Sequence, residues 1–197
     1  LTAPTTNLQR ETRETASRWS TADGDKVYYT RTSRDLKRID IVEADTTTGE
    51  PRVAVQERSN TYVEVQPLRL LKDSKGALQS IHWSERDGWG HYYLHDATGK
   101  LIRQLTQGEF VTTGIVEVDE ANRLLFFHAV GREAGEDPYY QHLYRVHLDT
   151  SEVTLVTPGD GSHRATMNDK ATFAIDNWSR VDMAPESVLY DSMGSKV

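Results

Sequence analysis

The feature that most constrains this chain is a phrase that occurs four times: a strand-forming run, an Asp, a short polar turn and a second strand-forming run. The copies are Ile39-Asp-Ile-Val-Glu-Ala-Asp45-Thr-Thr-Thr-Gly49, Gly90-His-Tyr-Tyr-Leu-His-Asp96-Ala-Thr-Gly99, Leu143-Tyr-Arg-Val-His-Leu-Asp149-Thr-Ser-Glu152 and Pro185-Glu-Ser-Val-Leu-Tyr-Asp191-Ser-Met-Gly194. Their aspartates are 51, 53 and 42 residues apart. A second series of polar turns runs in phase and opens the preceding strand of each copy. These turns begin at Asp23, Asp73, Asp119 and Asn168, which lie 22, 23, 30 and 23 residues ahead of the anchors. The third interval implies an insertion of about seven residues. Repeats of this length, made of strands and hairpin turns, specify one small antiparallel sheet per repeat. Such a sheet cannot bury both faces alone and stacks on its neighbours.

The fold expected is therefore all-β, a partial β-propeller of about four blades of antiparallel strands. Residues 1–197 form one propeller fragment, with blades at roughly 15–57, 58–106, 107–157 and 158–197. After three of the anchors a further strand is expected, at Arg52-Val-Ala-Val-Gln, Leu101-Ile-Arg-Gln-Leu-Thr and Val153-Thr-Leu-Val-Thr. The fourth repeat lacks it, so that sheet is expected to be incomplete. Four such blades can close or form an open arc. The polar stretch from Asn7 to Arg18 reads as a helix-like segment, an irregular lead-in or the last strand of a preceding unit.

The anchor aspartates have a structural explanation. Asp accepts hydrogen bonds from backbone N–H groups two residues on, and Gly supplies positive φ at little cost. Aligning the strands on these aspartates puts Val42, Tyr93, Val146 and Val188 in one apolar column, beside a mixed column of Glu43, Leu94, His147 and Leu189. Side chains alternate across a strand, so the uniform column is the one expected to be buried.

Composition narrows the functional classes. The net charge is −7, and the one basic run, Arg31-Thr-Ser-Arg34-Asp-Leu-Lys37-Arg38, has acidic neighbours. Phosphate binding needs a concentrated basic surface, so no nucleic-acid partner is expected; the run reads as a charged strand edge that discourages pairing. Without cysteine, disulfides, thiolate metal sites and Cys nucleophiles are excluded. No stretch approaches the length of a membrane span. The chain starts at Leu1 without a signal peptide and reads as a segment of something longer.

The second repeat carries a more specific phrase, Ser84-Glu-Arg-Asp-Gly-Trp-Gly-His-Tyr-Tyr-Leu-His-Asp96 followed by Gly99-Lys-Leu-Ile-Arg-Gln-Leu-Thr-Gln-Gly108. It resembles the propeller of dipeptidyl peptidase IV and its prolyl-peptidase relatives in the S9 family. Asn60-Thr-Tyr-Val-Glu-Val, Val116-Glu-Val-Asp-Glu-Ala-Asn122, His142-Leu-Tyr-Arg-Val-His-Leu-Asp149, Ser162-His163 and Ser179-Arg-Val-Asp182 with Pro185 follow in the family's order, so the resemblance runs from about Trp19 to Val197. Two positions depart from it: Gly90 stands where the family has Arg, and Tyr92 where it often has Leu. The family's substrate-holding Glu-Glu pair is absent from this chain, in a region that would precede it.

The resemblance implies a non-catalytic propeller portion of a serine-type prolyl dipeptidyl or tripeptidyl peptidase. Its partners would be an α/β-hydrolase domain of the same parent chain, which is absent here, and short peptide substrates that the propeller gates and contacts. It also implies a parent that can be exported or periplasmic and can form a homo-oligomer. The family's Ser-Asp-His triad needs a Gly-x-Ser-x-Gly elbow, and no such pentapeptide occurs here. No catalytic, cofactor-binding or metal residue is assigned, and no cofactor is expected. Ser162 beside His163 lacks the flanking glycines of a nucleophile. His91 and His95 would lie about 13 Å apart along a strand, too far to share a metal, and read as packing residues. Glu133, Glu136 and Asp137, in the insertion of the third repeat, read as a solvated acidic loop with calcium binding as the rival use. Trp19, Trp83, Trp89 and Trp178 read as inter-sheet packing. Two other functions remain open from the residues alone: a stand-alone binding scaffold of the Kelch or TolB type, and a carbohydrate-active propeller enzyme with convergent carboxylates.

Overall fold

The polar turns and alternating strands assemble as four antiparallel meanders. The structure, a computed structural model, describes residues 12–20 and 24–197, the first of these as backbone. The first sheet contains β1 (Thr12–Ser20), β2 (Lys26–Ser33), β3 (Arg38–Asp45) and β4 (Pro51–Arg58). The second contains β5 (Arg69–Lys72), β6 (Leu78–Ser84), β7 (His91–Asp96) and β8 (Leu101–Gln104). The third contains β9 (Val111–Asp119), β10 (Leu124–Val130), β11 (Gln141–His147) and β12 (Val153–Leu155). The fourth has three strands, β13 (Ser162–Met167), β14 (Phe173–Arg180) and β15 (Met183–Asp191). Beyond β15 the chain turns back, and Tyr190 bridges Lys196 as the start of a further pairing.

Three apolar cores lie between consecutive sheets. Tyr28, Ile39, Ile41 and Val55 of the first sheet meet Val63, Leu68, Leu70 and Leu78. Ile81, Trp83, Tyr92 and Leu94 of the second meet Leu125, Phe127, Tyr144 and Val146 of the third. Phe126 and Leu143 of the third meet Ala165, Ala174, Val188 and Tyr190 of the fourth. Among the described residues none of the three cores joins the first sheet to the fourth. The fourth sheet exposes Phe173, Ile175 and Leu189 on its other face.

The stretch before β2 resolves as a strand: from Thr12 the backbone pairs antiparallel with β2, and the part from Asn7 to Glu11 lies outside the described residues, as does the Asp23 turn. The basic run spans the β2–β3 hairpin inside the sheet: Arg34 and Lys37 are exposed, while its two other arginines turn inward. Arg31 and Arg38 both bind the buried carboxylate of Asp40, at 2.9 and 2.6 Å, and Gln56 adds a third hydrogen bond. Those charges neutralise an interior acid, which would otherwise be costly to bury.

The anchor turns behave as their chemistry predicts in three sheets. Asp45 Oδ1 accepts from the N–H groups of Thr47 and Thr48, Asp96 Oδ1 from Thr98 and Lys100, and Asp191 Oδ1 from Met193 and Ser195. The third sheet differs. There β11 ends at His147, whose N–H binds Glu152 O and whose carbonyl accepts from Ser151, the pattern that Asp96 makes with Lys100 and Gly99. His147 Nδ1 accepts the N–H of Asp149 and so does the work of the anchor carboxylate. Asp149 instead pairs with Arg123 at 3.0 Å, and Ser151 takes the left-handed position with φ of 61°. The alignment on Asp149 is thus displaced by two residues. A shift of two preserves the face of every side chain, which is why Val42, Tyr93, Val146 and Val188 are all buried despite it.

The turns also join the sheets. A side chain at Gly99 (φ 86°) would overlap the carbonyl oxygen of Ala54 in β4, so only glycine allows that approach. Arg52 reaches from β4 to the carbonyls of Thr98 and Ala97, at 2.6 and 2.8 Å. Ser151 Oγ donates to Gln104 O at 2.8 Å, repeating the contact between the second and third sheets.

Candidate functional site

A cleft lies where the Ser84–Gly88 turn, between β6 and β7, meets the segment from Glu57 to Glu64. It encloses about 290 Å³. At its base the carboxylate of Glu57, at the end of β4, accepts from His82 Nε2 at 2.7 Å and from Ser84 Oγ. The guanidinium of Arg86 approaches the same carboxylate at 3.5 Å. Burial pushes the Glu57 carboxyl up, but hydrogen bonds from His82 and Ser84 with the neighbouring positive charge outweigh it, and the net shift is downward. Glu57 is therefore an ionised, buried anchor.

The turn is fixed by its own side chains. Ser84 Oγ accepts from Arg86 N and Nε, at 3.1 and 2.9 Å. Asp87 accepts from Trp89 N and from Gln104 Nε2, at 3.2 and 2.6 Å, and Gly88 takes φ of 96°. Arg86 lies 4.2 Å from the centroid of the Tyr93 ring, so it is held by stacking and by charge together. Burial and the nearby Glu64 and Glu57 push the Glu85 carboxyl up. Burial, with His82 and Arg86, pushes His95 down to about 4 and holds it neutral. Tyr62 and Trp89 stay exposed near the rim, and Trp89 is thus not an inter-sheet packing residue.

Gly90, the departure from the expected Arg, has a steric cause. The Trp83 indole lies across it so closely that a side chain would collide with the ring, and the Gly90 carbonyl accepts from Thr112 N and Oγ1. Trp83 Nε1 donates to Thr112 O at 3.1 Å, locking the second and third sheets together as an inter-sheet packing residue should.

Ser84, Glu57 and His82 do not make a nucleophile. The serine hydroxyl donates to a carboxylate and no imidazole touches it, so the group stores a fixed charge. Among the described residues no serine hydroxyl hydrogen-bonds a histidine ring, and no three His, Asp or Glu side chains gather as metal ligands. Ser162 and His163 point to opposite faces of β13: Ser162 is exposed and His163 is buried against Asp176. His91 is a packing residue, bonded to Thr106 and Gly108 O and set edge-on to Phe110. His95 is likewise buried, with its ring 6.1 Å from that of His82. The acidic insertion does not point wholly into solvent. Glu136 binds His142 at 2.8 Å and Glu133 binds the Tyr144 hydroxyl at 3.0 Å, while Asp137 caps Tyr139 N. Trp178 stacks on His163, and the side chain of Trp19 lies outside the described residues.

Sequence reasoning isolated the Ser84–Gly88 turn but not Glu57 or His82. Their partnership joins residues of different sheets, and no periodicity encodes it. The available signal was a lone acidic residue closing a strand directly before a linker, which is too common to single out.

The residues from 2 to 185 match the model of the dipeptidyl peptidase IV N-terminal region. A dipeptidyl peptidase 4 of Trichophyton equinum is 26% identical over 183 residues, covering 90% of this chain and 23% of its own. A probable dipeptidyl peptidase 4 of Emericella nidulans is 30% identical over 130 residues, covering 61% of this chain and 16% of its own. Among solved structures, a Bacteroides ovatus protein assigned as a dipeptidyl aminopeptidase IV superposes with a TM-score of 0.79 at 20% identity, over 94% of this chain and 28% of that one. Porphyromonas gingivalis dipeptidyl peptidase 4 gives 0.73 at 21%, over 88% and 24%. The chain thus spans between 16% and 28% of the length of these relatives.

Proposed function

The chain belongs to the family of dipeptidyl peptidase IV N-terminal regions, and from that premise we propose that it is the non-catalytic propeller portion of a serine peptidase that removes short N-terminal peptides. Residues 1–197 supply about four blades of that propeller. The α/β-hydrolase domain of the same parent chain supplies nucleophile, base and oxyanion hole. The propeller restricts access to short peptides and contacts them through the cleft at the Ser84–Gly88 turn.

The observation that carries this reading is that the most specific phrase in the sequence builds one rim of a cleft between the first two sheets. That rim pairs a rigid, stacked Arg86 with exposed aromatics and with carboxylates of Glu64 and Glu85, which suits the polar backbone and ends of a short peptide. A pocket enclosed between two domains would exclude water and large substrates together.

The test uses two proteins. The 197-residue chain alone should neither turn over X-Pro-amide substrates nor be labelled by a serine-directed fluorophosphonate. The longer parent should do both, and Arg86→Ala in it should raise KM for short peptides more than it lowers kcat. Labelling of the isolated chain at one serine, lost on replacing that serine, would overturn the domain assignment. An unlabelled parent would return the chain to the binding-scaffold reading.

A further inference from the structure

The groove between β8 of the second sheet and β12 of the third is lined, among the described residues, by two arginines, Arg103 and Arg132, and by no acid. It encloses about 470 Å³, a volume typical of small-molecule sites. Asp and Glu outnumber Lys and Arg in this chain, 30 to 23, so a groove whose only charged lining is cationic stands against the average of the molecule. It shares no lining residue with the cleft at the Ser84–Gly88 turn.

The packing of the two sheets builds the walls. Arg103 lies opposite Leu94 in the β7–β8 ladder and so shares the face of Leu94 that packs on the third sheet. Leu105 follows on the same face, its N–H bound to Tyr92 O. Across the groove stand Thr150 and Ser151 of the β11–β12 turn and Val153 of β12. Ser151 Oγ donates to Gln104 O at 2.8 Å, which ties the walls together. Arg132 enters from the insertion between β10 and β11. Its guanidinium lies 5.1 Å from the centroid of the Tyr144 ring and 5.8 Å from that of Phe110, and its Nη1 pairs with Glu133 at 3.2 Å. Two acids beside these arginines are already engaged: Glu133 also accepts the Tyr144 hydroxyl, and Asp149 is held by Arg123 at 3.0 Å. Arg103 donates no hydrogen bond among the described residues; it acts on Asp149 through its charge alone, after Arg123 and His147.

We propose that this groove binds an organic carboxylate carried on a short aliphatic body, with Arg132 and Arg103 as donors to the carboxylate. One exposed and one half-buried cation would hold a bare anion only weakly, because ion pairs in water contribute little. Two features raise the affinity for a carboxylate with a hydrocarbon part. The rings of Tyr144 and Phe110 hold Arg132 in place, so its planar fork loses little freedom when it meets the ligand. Leu105 and Val153 give the groove an apolar surface that a short aliphatic chain would cover. Thr150 Oγ1 accepts from Glu152 N and keeps its own hydrogen for a ligand oxygen, and the exposed Gln107 amide adds further donors. Inorganic phosphate would use the donors but leave the apolar surface uncovered.

An NMR titration of the full chain tests this with three probes: isovalerate, its neutral amide and inorganic phosphate. Isovalerate should shift the Val153 methyl and Arg132 Nε–H signals in a saturable way. The amide and phosphate should each bind roughly tenfold more weakly, since one lacks the charge and the other the aliphatic body. Arg103→Gln and Arg132→Gln should each weaken isovalerate binding by about tenfold. Arg132→Gln also removes a stacked side chain from the insertion, so Arg103→Gln, which breaks no hydrogen bond, is the decisive variant. Arg34→Gln removes the same charge from an exposed position on the β2–β3 hairpin and should leave binding unchanged. Equal binding of isovalerate and its amide would overturn the site, as would an equal loss in Arg34→Gln. Phosphate binding as tight as isovalerate would overturn the ligand class. So would the lack of any saturable shift up to about 10 mM isovalerate, at which a millimolar site is about nine-tenths filled.

Discussion

The first and third sheet interfaces use the same residue types in opposite arrangements. Between the first and second sheets Glu57 receives donors from His82, Ser84 and Arg86, and the second ring nitrogen of His82 meets no hydrogen-bonding group of the protein. A neutral imidazole satisfies that geometry. Between the third and fourth sheets each histidine faces two acceptors, and a neutral imidazole does not satisfy it. The middle interface, built on Ile81, Leu94, Phe127 and Tyr144, is apolar in its core and is locked by the Trp83–Thr112 contact.

That contrast breaks most sharply where a charge enters the dry interface. Val146→Asp would bury an unpaired carboxylate and should cost about 3–5 kcal/mol. His147→Asp, one residue on, restores the residue that the other three sheets use at that position and should change stability by about 1 kcal/mol or less. Comparable shifts in denaturant midpoint for the two variants would contradict both the register and the role of His147. Next in size is the junction of the first two sheets. Gly99→Ala adds a methyl group against the Ala54 carbonyl at a positive φ and should cost about 3 kcal/mol. Gly76→Ala has a similar φ of 80° with open space around it, and should cost about 1 kcal/mol. Equal losses would mean that the turn at Gly99 does not join the sheets.

Much of the fold was legible because its signals are local. The turn chemistry of Asp45, Asp96 and Asp191 and the two-residue alternation fixed sheet number, order and buried faces. The third anchor was misplaced because Asp149 is a better turn residue by type than His147. What overrode type was Arg123, which draws Asp149 away; it also reaches Gln79 in the second sheet, a contact no local pattern encodes. The site divided in the same way. The Ser84–Gly88 turn is contiguous and stood out; Glu57 with His82, and Asp176 with His163, join strands through space. The acidic insertion was read as solvated because Glu133, Glu136 and Asp137 sit among Gly and Pro, while their partners Tyr144 and His142 follow only after the chain has reversed.

The last prediction tests the pH response of the first interface. His95 is held neutral, at about 4 against an ordinary value of about 6.5, by burial first and then by His82 and Arg86. A depressed folded value contributes stability that is present above the unfolded value and is lost as pH falls through the window from about 6.5 to 4. Glu57, whose carboxyl also lies below its ordinary value, loses its contribution lower still, as pH falls below about 4.3 and through the folded value. His95→Gln should therefore flatten the pH dependence of stability between about 6.5 and 4, by up to about 3 kcal/mol. The steeper leg below that range should persist, and Glu57→Gln should remove part of it. Loss of that leg in His95→Gln as well would show that the two residues act as one network.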